Sequence, residues 1–191
     1  MTNINWVLGS GSPRRKELLA GIGVDFVVRT KDTDEVYPLD LAPQAVPAYL
    51  AELKAKALLP DLAPTEVVIC ADTVVILDQE IIGKPLDKAD ALSMLTRLAG
   101  KTHEVVTGVF IGNNERQFVA SDATLVTFGN LTAQEIEHYV DQYKPFDKAG
   151  SYGVQEWLGY VAVEKLVGSY TNVMGLPTHL VYQMVREWMA K

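Results

Sequence analysis

Runs of β-branched residues alternate with amphipathic stretches along the chain. The strongest strand pattern covers residues 66–77, where six positions are valine or isoleucine. Further strands are predicted at 6–8, 25–29, 81–82, 102–111, 117–128 and 160–166. Helices are predicted from Pro13 to about Gly21 and at 42–59, 88–98, 133–142 and 176–191. This mixture predicts an α/β or α+β fold, and the hairpin turn at residues 112–114 favours a mixed sheet.

Composition places the chain among folded globular proteins. Of 191 residues, 48% are hydrophobic and 21% are charged, which is enough apolar material for one domain or two small lobes sharing a core. The net charge of -7 argues against non-specific binding to a nucleic acid polymer, which needs a basic surface. A small anionic substrate stays possible, because a few basic residues in one site act locally.

Localisation is predicted from what the sequence lacks. No apolar run approaches the ~20 residues that span a bilayer, which argues against a membrane protein, and residues 1–5 do not resemble a signal peptide. Cys70 is the only cysteine, so no internal disulfide can form. We therefore predict a cytoplasmic protein.

Residues 9–16, Gly-Ser-Gly-Ser-Pro-Arg-Arg-Lys, follow a predicted strand and begin a helix. Ser12 is a good N-cap, and Pro13 suits the first helical position. Arg14 and Arg15 oppose the helix dipole unless an anion is bound there, so the segment predicts a phosphate site. The alternative is an ordinary capped helix with solvated basic residues, since the segment is not a Walker A loop.

Asp72 interrupts the apolar run of residues 66–77. A buried carboxylate is costly unless it is paired, metal-bound or used, which makes Asp72 a candidate functional residue. The alternative is that it marks the end of a strand or a bulge. Lys84 lies in a turn, Ile82-Gly83-Lys84-Pro85, which could aim it back towards Asp72, although a lysine in a turn is usually solvated.

Two glycine-rich loops at residues 145–155 and 168–177 could line a ligand site or be simple connections. The three histidines do not have the spacing of metal ligands, and Cys70 within an apolar run is typical of a buried hydrophobe. Carboxylates and basic residues remain as the candidate chemistry. Carboxylates favour Mg²⁺ or Mn²⁺ bound together with phosphate.

Taken in order, these segments resemble the Maf family of nucleoside triphosphate pyrophosphatases. The motifs that carry the resemblance lie at residues 10–15, 34–35, 52–55, 71–75, 83–85, 107–109, 147–155 and 168–177. The resemblance implies one domain over residues 1–191. It implies an elongated mixed β-sheet flanked by helices, in two lobes with a central cleft, similar to inosine triphosphate pyrophosphatases.

The resemblance also implies hydrolysis of a nucleoside triphosphate to the monophosphate and pyrophosphate. Arg14, Thr73 and Gln155 match the branch that acts on dTTP and UTP. Gly9 departs from the family's usual alanine, which should loosen the turn slightly. Glu156 stands where glycine is usual, a change that bears on the base pocket.

Roles follow from the resemblance and from chemistry. We expect Asp72 to be the general base, a metal ligand or both, and Glu35 to help hold a divalent cation, Mg²⁺ or Mn²⁺. The predicted phosphate-binding residues are Ser10, Arg15, Lys54 and Lys84. A homodimer is the expected assembly. The competing function is a non-enzymatic regulator that inhibits septum formation by binding nucleotide or protein.

Overall fold

The computed structural model describes residues 4–190. The strands are β1 (Asn5–Leu8), β2 (Phe26–Val28), β3 (Glu66–Leu77), β4 (Glu80–Ile82), β5 (Thr102–Gly112), β6 (Gln117–Phe128) and β7 (Val163–Val167). The α-helices are α1 (Pro13–Gly21), α2 (Val46–Leu58), α3 (Lys88–Leu98), α4 (Ala133–Tyr143), α5 (Trp157–Val161), α6 (Tyr170–Val173) and α7 (Thr178–Met189). Short 3-10 turns lie at Pro43–Ala45, Leu59–Asp61 and Ala149–Ser151.

The strands of the described residues form one mixed sheet in the order β2-β1-β3-β5-β6-β7, with β4 paired to β3. β1 runs parallel to both β2 and β3, whereas β4 and β7 run antiparallel to β3 and β6. The prediction of a mixed α/β sheet flanked by helices is confirmed. The elongated outline, the cleft and the single domain stay predictions.

The chain divides into two compact units. The first unit comprises the residues up to Asp72, Thr107–Asp122 and the residues from Gly175 onward. The second unit comprises Thr73–Val106 and Ala123–Met174. Each has its own hydrophobic core.

In the first unit, strict alternation along the strands creates two apolar faces. On β1, Trp6 and Leu8 pack in one cluster with Leu19 of α1 and residues of α7. Val7 points the other way and packs with residues of α2. Because side chains of a strand alternate between faces, the helices lie on both sides of this part of the sheet.

In the second unit, helices α3 and α4 bury apolar stripes against strand residues. Leu95 of α3 and Ile136 of α4 join Val75, Val126 and Phe128 in one cluster. Helix α4 begins with the capping box formed by Thr132 and Glu135, as the residue pattern Thr-x-x-Glu favours. A tight turn joins β3 to β4, with positive φ angles of 52° and 66° at Asp78 and Gln79.

One predicted strand is wrong at its start. Residues 157–161 form α5, and β7 begins only at Val163. The aromatic and β-branched pair Tyr160-Val161 favours a strand by propensity, but tertiary packing overrides it. The short helix α6 was not predicted, and the last helix begins at Thr178 instead of Leu176; Lys191 lies outside the described residues.

Along residues 4–190, no helix combines the length and the apolar character that crossing a bilayer requires.

Candidate active site

Asp72 and Lys54 meet because of the alternation on β3. Val68 and Cys70 face α2, and Asp72, two residues further on, continues the same face. Lys54 lies on α2 between Ala51 and Ala55, which pack against that face. Lys54 Nζ donates a hydrogen bond to Asp72 Oδ1, so the aspartate at the end of this apolar face is paired.

Lys54 also joins a second carboxylate. Its Nζ lies 2.8 Å from Glu35 Oε1, so the two acids converge on one ammonium group. The side chains of Lys54 and Asp72 are only 18% and 11% exposed, whereas that of Glu35 is 46% exposed. The first unit therefore holds a pair of carboxylates bridged by a cation, with one acid sheltered and one open to water.

The loop after β1 begins beside the middle of β3, where Asp72 lies. Gly9 N donates to Ile69 O at 2.8 Å, which extends the parallel pairing of β1 and β3. Ser10 follows directly and is buried, and its Oγ accepts a hydrogen bond from Ser12 N at 3.2 Å. Because the parallel register places Leu8 level with Ile69, the chain that leaves β1 runs beside the middle of β3, and Ser10 lies on this segment.

Helix α1 begins as the sequence predicts. The Ser12 hydroxyl caps it by accepting from Arg15 N at 3.4 Å, and its first turn holds no acidic residue. Arg15 Nε donates to Gly175 O at 2.8 Å, so the second glycine-rich loop fixes this guanidinium. Basic residues at this end of a helix favour a bound anion.

The charges around Arg15 act on one another. Burial lowers the pKa of the Arg15 guanidinium, the negative charge of Asp72 opposes that shift, and the positive charge of Arg14 adds to it. Arg14, Arg15 and Asp72 are therefore close enough to interact within the first unit. An incoming phosphate would relieve the repulsion between the two arginines.

Gly9 has a packing reason for lacking a side chain. A Cβ atom at Gly9 would lie 2.3 Å from Cys70 Sγ and 2.8 Å from Leu58 Cδ1. The expected loosening of the turn is therefore not the main effect, because the Cys70 thiol occupies the space that an alanine methyl group would need. Cys70 itself is fully buried, as predicted, and burial raises its pKa to about 12.

The other predicted site residues belong to the second unit. Thr73 is half-buried, Lys84 is exposed, and Gln155 is half-buried. Gly150 N donates to Gly83 O at 2.9 Å, which joins the turn that carries Lys84 to the loop that leads to Gln155. The Oε1 atom of Gln155 is buried without a hydrogen-bond partner in the described structure, which is costly unless a ligand satisfies it.

The carboxylates of the first unit suit a divalent cation only in part. Glu35 and Asp72 converge within reach of one cation, which fits oxygen-preferring Mg²⁺ or Mn²⁺. Within residues 4–190, no group of three or more histidine, cysteine and acidic side chains is placed to hold a metal. Two protein carboxylates plus substrate phosphates and water are the usual ligand set for Mg²⁺.

Sequence reasoning missed a network in the second unit. Lys148 is buried and pairs with Glu156 as well as with its neighbour Asp147. Tyr139 of α4 donates to Glu156 and so joins this network. A separate buried pair was also missed, in which His103 Nε2 lies 2.7 Å from Tyr152 Oη. The only sign of this network in the sequence was Glu156, which stands where the family that the chain resembles usually has glycine.

Comparison with known proteins identifies the family of the chain. The family model described as Maf-like protein matches residues 5–188. The chain belongs to the Maf family. A Porphyromonas gingivalis relative named dTTP/UTP pyrophosphatase is 48% identical over 95% of this chain and 93% of its own.

Two more relatives of that name are similar to the chain over nearly its whole length. The Flavobacterium psychrophilum protein is 47% identical over 94% of this chain and 92% of its own, and the Bacteroides thetaiotaomicron protein is 49% identical over 92% of both. Among solved structures, the Staphylococcus aureus Ham1 protein aligns with 65% of this chain and 71% of its own at 16% identity and a TM-score of 0.48. The Maf assignment does not depend on that structure.

Proposed function

We propose that this Maf-family protein hydrolyses nucleoside triphosphates, with dTTP and UTP preferred, to the nucleoside monophosphate and pyrophosphate. The observation that carries the proposal is the pairing of Asp72 with Lys54 near Arg15. Arg15 lies in the first turn of α1, which holds no acidic residue to offset its charge. A base and a set of phosphate-binding cations are thereby supplied by one unit. The names of the relatives support the substrate.

Asp72 is the proton acceptor in this proposal. Its carboxylate takes a proton from water, the water oxygen bonds to the α-phosphorus, and the bond from that phosphorus to the α–β bridging oxygen breaks. Lys54 holds Asp72 in place and, with Arg15, stabilises charge that develops on the leaving pyrophosphate. Ser10 of the first unit is a further proposed phosphate-binding residue, and the same role is proposed separately for Lys84 of the second unit.

A divalent cation is part of the proposal. Glu35 and Asp72 would hold Mg²⁺ or Mn²⁺ near the point where they converge. When bound, the cation supplies Lewis-acid stabilisation of the phosphate oxygens. Because Lys54 Nζ lies between the two acids in this structure, the ammonium group would have to move aside when the cation binds.

Gln155 of the second unit is the proposed base-reading residue, and Arg14 and Thr73 stay predicted selectivity residues. Its amide offers a donor and an acceptor, which complement the O4 and N3–H edge of uracil or thymine. The same pattern fits O6 and N1–H of guanine, so exclusion of purines has to come from pocket size. The unpartnered Gln155 Oε1 is the group that a base N3–H would satisfy.

A panel of nucleotides tests the function. The protein is incubated with Mg²⁺ or Mn²⁺ and each of dTTP, UTP, CTP, dATP and GTP, and pyrophosphate release is measured. Release that is fastest with dTTP and UTP is expected. Orthophosphate as the product would indicate another type of phosphohydrolase, and no turnover of any nucleotide would favour the regulator of cell division.

A change of Gln155 to alanine tests the base-reading role. Gln155→Ala should retain hydrolysis while losing the preference for UTP over CTP, because only the base edge has lost its partner. The matched control is Gln142→Ala, which removes an exposed glutamine of α4 in the same unit. Unchanged selectivity in Gln155→Ala would contradict the assignment.

Assembly and location complete the proposal. We expect a homodimer, the commonest oligomer of soluble proteins, and light scattering at micromolar concentration measures it. In support, the strand β7 stands at the end of the sheet order, and Leu125 and its cross-strand partner Val167 are 46% and 51% exposed. A cytoplasmic location fits the nucleotide substrate and the unpaired thiol of Cys70.

A further inference from the structure

The residue Gln155 sits in a tight turn whose backbone is fixed at both ends. Glu156 N donates to Gly153 O at 3.0 Å, which closes the turn over residues 153–156. Gly159 of α5 packs directly on this turn, because a Cβ atom there would lie 1.8 Å from Val154 O. The lack of a side chain at Gly159 thus lets the helix touch the backbone that precedes Gln155.

A directed chain of hydrogen bonds joins this turn to helix α4. Gly153 N donates to Tyr139 Oη at 3.0 Å, and Tyr139 Oη donates in turn to Glu156 Oε2. The other oxygen, Glu156 Oε1, lies 3.1 Å from Lys148 Nζ. The carboxylate of Glu156 therefore holds both ends of the turn through a single tyrosine hydroxyl.

The chain is sheltered from water. Tyr139 is fully buried, and the side chains of Lys148 and Glu156 are 9% and 19% exposed. Burial, together with the hydrogen bond and the charge of Glu156, raises the pKa of the Tyr139 hydroxyl, so it stays a donor at neutral pH. Hydrogen bonds to charged groups are stronger than neutral ones, and removing one partner from a buried chain leaves the rest unsatisfied.

We propose that Glu156 is a positioning residue that sets nucleobase selectivity by holding the turn that presents Gln155. The proposal rests on the proposed function, because it assigns the base-reading step to Gln155. An unpartnered buried amide oxygen, as at Gln155 Oε1, is kept in place only when its surroundings fix it. The bonds of Glu156 to Tyr139 and Lys148 supply that constraint, and a loosened turn would let the Gln155 amide satisfy itself elsewhere.

The test compares kcat and KM for UTP and CTP in the full-length protein with Mg²⁺. The variants are Glu156→Gln, which keeps the shape and removes the charge, and Tyr139→Phe, which removes only the hydroxyl. The matched control is Glu137→Gln, an exposed carboxylate of α4 whose partner is Lys88. Thermal unfolding of each variant reports folding, and Tyr139→Phe decides alone if Glu156→Gln does not fold.

Both variants should lower the preference for UTP over CTP by about fivefold or more, mainly through KM for UTP, with kcat for UTP close to that of the wild type. The double variant should lose no more selectivity than the larger single variant, because both changes break one chain. Glu137→Gln should keep the wild-type preference.

Two outcomes overturn the inference, and a third separates it from the function. Retained UTP preference in both folded variants would remove Glu156 from the selectivity mechanism. Equal loss in Glu137→Gln would indicate a non-specific charge effect. If the wild type hydrolyses no triphosphate or lacks the preference, the proposed function itself fails, and the inference fails with it.

Discussion

Each of the two units places a lysine between two carboxylates, but the two clusters are built from different elements. In the first unit, Lys54 on α2 bridges Asp72 on β3 and Glu35 in a distant loop. In the second unit, Lys148 bridges Asp147 and Glu156 within one continuous loop. The first cluster exists only when strand, helix and loop are assembled, whereas the second is largely local in sequence.

The partners of the inner acid indicate a difference in task. Each cluster has one acid open to water, since Glu35 is 46% and Asp147 is 59% exposed. In the second cluster the inner acid, Glu156, also accepts a hydrogen bond from Tyr139, whose hydroxyl accepts one from Gly153 N. In the first cluster the inner acid, Asp72, lies near Arg15 at the start of a helix. An acid beside phosphate-binding cations suits proton transfer, while an acid bonded to a turn suits holding a backbone in place. The same three residue types therefore serve chemistry in one unit and positioning in the other.

Removing the acid at the centre of the first cluster should have the largest effect. Asp72→Asn keeps the side-chain shape, and Lys54 keeps Glu35 as a partner, so the fold should be retained. Because the proton acceptor is lost, kcat should fall by about 100-fold or more. Steady-state pyrophosphate release and circular dichroism measure the two effects.

The control for that change is Asp61→Asn. Asp61 also pairs with a lysine, at 2.7 Å from Lys31, but its side chain is 54% exposed. Its activity should stay near that of the wild type. Near-full activity of Asp72→Asn would end the assignment of the first cluster to catalysis.

In the second unit, the buried ring of His103 should make the free energy of unfolding depend on pH. Burial lowers the pKa of His103 to about 4, so the folded state holds this ring neutral. The unfolded ring titrates near pH ~6.5, so between these values the unfolded state binds more protons. This contribution to stability is complete above pH ~6.5 and declines as the pH falls towards about 4, by up to about 3 kcal/mol.

Urea denaturation from pH 4 to pH 8 measures this dependence. His103→Gln should be less stable at neutral pH, since Tyr152 loses its ring partner, and should show a shallower loss of stability on acidification. The matched control is His138→Gln, an exposed position on α4. Equal slopes in the wild type and His103→Gln would contradict the argument.

A smaller effect is expected from a change in the packing around Cys70, two residues before Asp72 on β3. Gly9→Ala should reduce the free energy of unfolding by about 1–3 kcal/mol, because the new methyl group meets Cys70 Sγ and Leu58. Gly9 is not among the positive-φ residues, so the cost is due to contact and not to backbone strain. Chemical denaturation measures the loss.

Cys70→Ala in combination supplies the control for the packing argument. The double variant should recover part of the stability that Gly9→Ala loses relative to Cys70→Ala, since the sulfur no longer occupies the space. Additive losses in the double variant would show that some other feature makes glycine necessary at position 9.

Most of the fold could be predicted from the sequence, because the hydrophobic periodicity and the residues that begin or end each element indicate the same boundaries. The run at 66–77, the capped helix at Pro13 and the Thr132 cap each combine hydrophobic pattern with boundary chemistry. The failure at Tyr160 occurred where propensity and packing disagree, since Gly159 must approach Val154 closely and the segment turns helical. No local pattern reports such a contact.

The candidate site was predictable to a different depth in each unit. Asp72 was visible as a charge inside an apolar run, and its partner Lys54 agrees with the resemblance. The role of Glu156 was hidden, because its bonds to Tyr139 and Lys148 connect positions with no common period. Side-chain pairings that arise only from tertiary packing produce no periodic pattern in a single sequence.

The thiol of Cys70 has a consequence for following the protein in motion. It is fully buried on the same face of β3 as Asp72, and a thiol with a pKa of about 12 hardly forms the reactive thiolate at neutral pH. Its alkylation therefore waits for an opening event that exposes β3. Because Cys70 is the single cysteine of the chain, its rate of alkylation reports local unfolding of the first unit. Mass spectrometry can follow this rate without any engineered label.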